Sequence, residues 1–176
     1  MPENPAMNKF DKVMVGFFSI VIAVGSLVIT LIIMGAAAAR YILHVNFVGY
    51  DEIVVLVAFW FYFMGAAYGA YNNSHVTADI IDAYVPLGVT RNVLAAIRWA
   101  AACFACGLFV YYGFNYLKFS FMGPLGNFRF LPKSMTWRIP LWISQSAIFI
   151  GLSLMELYFL RNLLLSIKAL AGGNKA

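Results

Sequence analysis

The chain has 176 residues, 63% hydrophobic and 11% charged, whereas a soluble domain is about half apolar and about a quarter charged. The apolar residues fall in long blocks, which excludes an ordinary soluble fold and leaves no segment long enough for a second domain. Net charge is +5, but no basic run interleaved with aromatics offers a nucleic-acid surface, and basic residues in a membrane chain mainly report orientation.

Residues 1–12 are polar and read as a frayed cytoplasmic segment ahead of a single membrane domain over 13–165. The first apolar block runs 13–39 and ends at Arg40. At about 1.5 Å per residue it reaches about 40 Å, beyond a hydrocarbon core of about 30 Å, so it tilts or projects. It is too long for a signal-peptide core and reads as an uncleaved anchor. A short loop, Arg40 to Glu52, leads to the second span, 53–71. That span is aromatic at Phe59 to Phe63 and then small, with Gly65 and Gly69 in a G-x-x-x-G spacing. Such a face admits a helix closely, within this chain or from another subunit.

Val76, Ile80 and Ala83/Tyr84 recur at helical spacing beside His75, Asp79 and Asp82. The pattern predicts a short amphipathic helix over 74–85 on the membrane surface. The third span is expected over 91–116. The longest loop follows, 118–138, broken by Gly123-Pro124 and Pro132 yet rich in Phe, and is expected to fold back on the membrane or a partner. Pro140 suits the first turn of the fourth span, 140–160, where its missing N–H needs no acceptor. Residues 166–176 form a tail. The fold class is therefore an all-α membrane protein: four transmembrane helices plus a short amphipathic surface helix between the second and third.

Four spans put both termini on one side. That side carries seven basic residues, among them Arg98 and Arg161, against Arg40, Lys118, Arg129, Lys133 and Arg138 on the other. The balance favours cytoplasmic termini. Glu156 is the one acid inside a span, and Arg98 enters from the same side; pairing the two would cancel two costly charges. Cys103 and Cys106 lie within an apolar block and read as small apolar side chains. His44 and His75 lie outside the spans, where they cannot ligate a haem across a bundle. No zinc spacing, phosphate-binding loop or nucleophile–base arrangement is present. No catalytic residue, cofactor or metal is expected.

Taken in order, several short motifs resemble the small membrane subunit of the tripartite ATP-independent periplasmic (TRAP) transporters, the DctQ-like family. These are Arg40-Tyr41 closing the first span, Asp51-Glu52 opening the second, and Gly65-Ala66-Ala67 near its end. His75-Val76-Thr77-Ala78-Asp79-Ile80-Ile81 and Ile139-Pro140-Leu141-Trp142 complete the set. The sequence departs from the pattern twice. Val48-Gly49-Tyr50-Asp51-Glu52 stands where Trp-x-Glu-Glu is common, and Trp137-Arg138 stands where Leu-Gly is common.

The resemblance implies a non-catalytic scaffold. It would brace a large multi-span, elevator-type permease subunit and help dock a periplasmic substrate-binding protein for sodium-driven uptake of an organic acid. Membrane lipids are the remaining partner. The same resemblance makes Arg40, Tyr41, Asp51, Glu52, Gly65, Gly69, His75, Asp79, Ile139, Pro140 and Trp142 candidates for family motif or partner interface. Arg129, Lys133 and Arg138 are candidates for attracting an acidic binding protein. Two other readings compete: a stand-alone proton-coupled exporter, for which Glu156 is poorly placed, and an assembly subunit of another membrane complex.

Overall fold

The computed structural model of the chain describes residues 9–72, 89–122 and 131–172. They form four helices: α1 (Lys9–Ile42), α2 (Tyr50–Tyr71), α3 (Val89–Met122) and α4 (Trp142–Gly172). Each contains a stretch long and apolar enough to cross a membrane. The expected surface helix over 74–85, with His75 and Asp79, lies outside the described residues.

The helices outrun the expected spans. α1 begins at Lys9, so the last residues of the expected frayed segment are helical. α3 continues through Lys118 to Met122, and α4 continues past Arg161 and Lys168. Charged residues mark where a helix leaves the hydrocarbon, not where it stops, because the intrahelical hydrogen bonds continue into the headgroup region. α2, of 22 residues, is about 33 Å long and matches the membrane core.

α4 begins at Trp142, two residues after Pro140. Pro140 instead pairs with Lys133 in an antiparallel bridge, and Leu141 N–H donates to the Pro132 carbonyl at 3.0 Å. Residues 132–141 thus form a small hairpin ahead of the helix. The expectation of Pro140 in the first helical turn is corrected: the hairpin takes up the residue that cannot donate to a helix.

α1 packs on α2, α2 on α4, and α4 on α3. The helices therefore form a row in the order α1–α2–α4–α3, and α1 and α3 are its edges. Lipid offers no hydrophobic drive between helices, so close packing must hold the row. The tightest approach is at Gly151 of α4, where an added Cβ would fall 2.6 Å from Phe63 Cβ and 2.8 Å from the Phe63 carbonyl oxygen of α2. Gly25 of α1 meets α2 at Phe61, where the same atom would lie 3.3 Å from Phe61 Cβ. Gly65 meets nothing within 4 Å in this chain, and the close approach of α4 to α2 is made at Gly151.

Gly151→Ala should force α2 and α4 apart and lower the stability of the isolated subunit by about 1–3 kcal/mol, measured as unfolding in mild detergent. Gly16→Ala, at a position with open space around it, should leave stability equal or slightly higher.

Candidate functional site

At the end of the row where α2 and α4 begin, one carboxylate organises the surface. Glu52 lies in the first turn of α2, three residues after the cap residue Gly49. A glutamate there often folds back on its own helix start; this one reaches across to the hairpin. Its Oε1 accepts from Thr136 N–H at 2.8 Å. Its Oε2 accepts from Trp137 N–H at 2.9 Å and from the Ser134 hydroxyl at 2.7 Å. Ser134 Oγ in turn accepts from Ile139 N–H at 3.0 Å, and Ser134 N–H donates to the Ile139 carbonyl at 2.9 Å. Hydrogen bonds to an ionised group are shorter and stronger than neutral ones. The loop expected to fold on the membrane or a partner therefore folds, over 132–141, onto its own α2.

Gly49 makes room for this. It has φ 89°, ψ 4°, a left-handed conformation that glycine adopts without strain. An added Cβ would lie 2.7 Å from both Thr136 Cγ2 and Trp137 Nε1. The hairpin sits directly on the helix entry.

The expected motif residues fall into two groups. Asp51-Glu52 and Ile139-Pro140-Leu141-Trp142, distant in sequence, are brought into one unit through Ser134, Thr136 and Trp137. Trp142 also packs its ring against Phe121 of α3 with centroids 5.5 Å apart. Arg40 and Tyr41 are exposed in the last turn of α1, where Arg40 complements the negative end of the helix dipole. Lys133 and Arg138 are exposed beside the clasp, and Arg129 lies outside the described residues.

At the opposite end a pair of opposite charges ties α1 to α4. Arg161 of α4 donates to Asp11 Oδ2 of α1 at 2.9 Å, with the Asp11 side chain 6% and the Arg161 side chain 33% exposed. Tyr158, three residues earlier, meets Tyr71 of α2 edge-on at 5.4 Å. The expected partners Arg98 and Glu156 are not brought together. Glu156 lies beside Gly107, where an added Cβ would be 3.9 Å from Oε1. Arg98 is nine residues earlier on α3, about 13 Å along the axis. The Arg98 guanidinium instead rests 5.0 Å from the centre of the Trp99 ring, while Arg98 Nε and Glu156 Oε2 are buried without a partner. Cys103 and Cys106 are buried free thiols, Cys106 donating to the Leu152 carbonyl at 3.7 Å.

Residues 29–169 match the family model for the DctQ component of tripartite ATP-independent periplasmic transporters. The chain belongs to this family. No curated protein matches it. As a DctQ component it is a multi-pass membrane subunit of a transporter and not an enzyme. Among the described residues no group of three or more His, Cys, Asp or Glu side chains could hold a metal ion.

The two departures from the family pattern meet in space. Trp137 Nε1 lies 2.7 Å from where a Cβ on Gly49 would stand, which joins the stretch 48–52 to Trp137-Arg138. Arg138 has φ 53°, at the position where the pattern has glycine and where only glycine is free of cost.

Sequence reasoning did not find two of these contacts. Ser134 carried no distinguishing signal. Asp11 could have been found, since four spans place it on the same side as Arg161.

Three outcomes are expected. Glu52→Ala should raise amide hydrogen exchange at Thr136 and Trp137 by about tenfold or more, read by mass spectrometry on the subunit in nanodiscs. Arg138→Gly should raise stability by about 1 kcal/mol by relieving the left-handed backbone. A double-mutant cycle of Asp11→Asn and Arg161→Gln should return a coupling of about 0.5–3 kcal/mol, where independent sites would return none.

Proposed function

We propose that this DctQ-family chain is the static small subunit that braces a large elevator-type permease and helps dock a periplasmic binding protein. The cargo of the system is an organic acid, taken up with sodium. The observation that carries the reading is the family match over residues 29–169, joined to a row of four apolar helices with open outer faces.

The outer face of α1 is an apolar stripe. Val13, Phe17, Ile20, Val24, Leu27, Leu31 and Met34 are all exposed, and they repeat every three or four residues as one side of a helix does. On the other edge Phe104, Leu108 and Tyr111 of α3 are exposed. In a bilayer these faces meet lipid or the helices of the permease. The row is fastened near both ends, by Glu52 and by Asp11–Arg161, which suits a part that stays still while a neighbour moves. In this reading passage of the cargo belongs to the permease.

The excess of basic residues on the terminal side supports cytoplasmic termini, and in this reading the hairpin faces the periplasm. There Lys133 and Arg138 attract an acidic binding protein. The family match takes support away from a stand-alone exporter and from a subunit of an unrelated membrane complex.

Purification of the tagged chain from its own membrane should bring down a large multi-span permease. Recovery of redox subunits instead, or proton-coupled export by the chain alone in liposomes, would overturn the reading. Exchanging both basic residues, Lys133→Glu with Arg138→Glu, should weaken docking of the binding protein by about tenfold or more, in a titration of uptake at low ionic strength.

A further inference from the structure

The hairpin over α2 displays groups that the chain itself does not use. Met135 is 98% exposed and Trp137 51% exposed, with Lys133 and Arg138 exposed on either side. Yet the backbone beneath these side chains is fixed. Thr136 and Trp137 N–H, together with the Ser134 hydroxyl, all donate to the Glu52 carboxylate. Both strands of the hairpin are tied by Ser134 to Ile139 and by Leu141 to Pro132. Arg138 is held in the left-handed region at φ 53°, a conformation that persists only where its surroundings enforce it. Glu52 itself points inward to the amides, so its charge is spent on the loop and is not presented to a partner.

We infer that Glu52 is a positioning residue for docking: its carboxylate preforms the hairpin so that Lys133, Met135 and Arg138 meet an acidic protein surface with an apolar recess for the methionine. The inference rests on the docking role proposed above and adds the residue that makes the surface. Preorganisation is where the benefit lies, because a loop already ordered loses less freedom on binding. A folded protein partner fits better than lipid headgroups. Lipid headgroups are fluid and rearrange around any basic or apolar side chain, so the fixed spacing that the clasp gives these groups matters only to a partner whose own surface is fixed.

The test uses the complete transporter in proteoliposomes, with the purified substrate-binding component of the same system titrated against uptake. Glu52→Gln keeps the size of the side chain but removes the charge and one acceptor. It should raise the half-saturating concentration of the binding protein about tenfold, while the rate at saturation is unchanged. Ser134→Ala, which removes one donor to the clasp, should shift it in the same direction by less. Should Glu52→Gln fail to assemble, the Ser134→Ala titration decides, and an unchanged half-saturation there overturns the inference.

A lower saturated rate with unchanged half-saturation would show a purely structural role and overturn it too. Lys133→Glu with Arg138→Glu separates the two levels. If that variant docks normally, the docking reading itself fails. If it docks poorly while both clasp variants dock normally, the reading stands and only the positioning role of Glu52 is lost. Loss of binding to phosphatidylglycerol vesicles in Lys133→Glu with Arg138→Glu, with docking intact, would assign the surface to lipid and contradict the proposal.

Discussion

Glu52 is a partly exposed carboxylate in the first turn of α2, and it takes hydrogen bonds from two backbone amides and one hydroxyl of a segment more than eighty residues away. An ionised carboxylate is held most firmly by several convergent donors. The hairpin supplies them, and in return receives a fixed shape. The start of α2, the start of α4 and the surface between them become one unit. Gly49 is glycine because that unit sits on it, and Trp142 enters α4 at the place the hairpin delivers it.

The rest of the row follows the logic of membranes. Apolar side chains gain little by meeting each other in lipid, so adhesion depends on close approach and on polar ties. Gly151 against Phe63 gives the approach between α2 and α4. Asp11 with Arg161 gives the polar tie at the far end. The result, among the described residues, is a row with a fastening near each end and an exposed apolar edge on either side. That architecture suits a bracing subunit, whose work is to present surface and to resist movement.

Much of this was legible in the sequence, and the limits are physical. The four apolar blocks announced four helices because a span of about 20 apolar residues has few other uses. The helices run on past Lys118 and Arg161, beyond the expected spans, since charge ends the apolar signal without ending the helix. The acidic pair Asp51-Glu52 stood out as a motif, but its partners did not, because backbone amides carry no side-chain signature. The pairing expected for Arg98 and Glu156 failed on register: sequence gives the side of entry but not the axial offset of packed helices. Gly49 and Trp137-Arg138 stood out separately as departures from a pattern, and only three dimensions showed them to be neighbours.

The central claim is that the clasp keeps the hairpin in one fixed position over α2, before and during transport. It is tested most directly by double electron–electron resonance between spin labels at the exposed positions Tyr62 of α2 and Leu131 at the foot of the hairpin, with Cys103 and Cys106 replaced by alanine. The account predicts one narrow distance distribution, the same in the isolated subunit and in the assembled transporter with loaded binding protein, and broadened by Glu52→Ala. A broad distribution in the native sequence, or a distance that shifts when the binding protein docks, would contradict it.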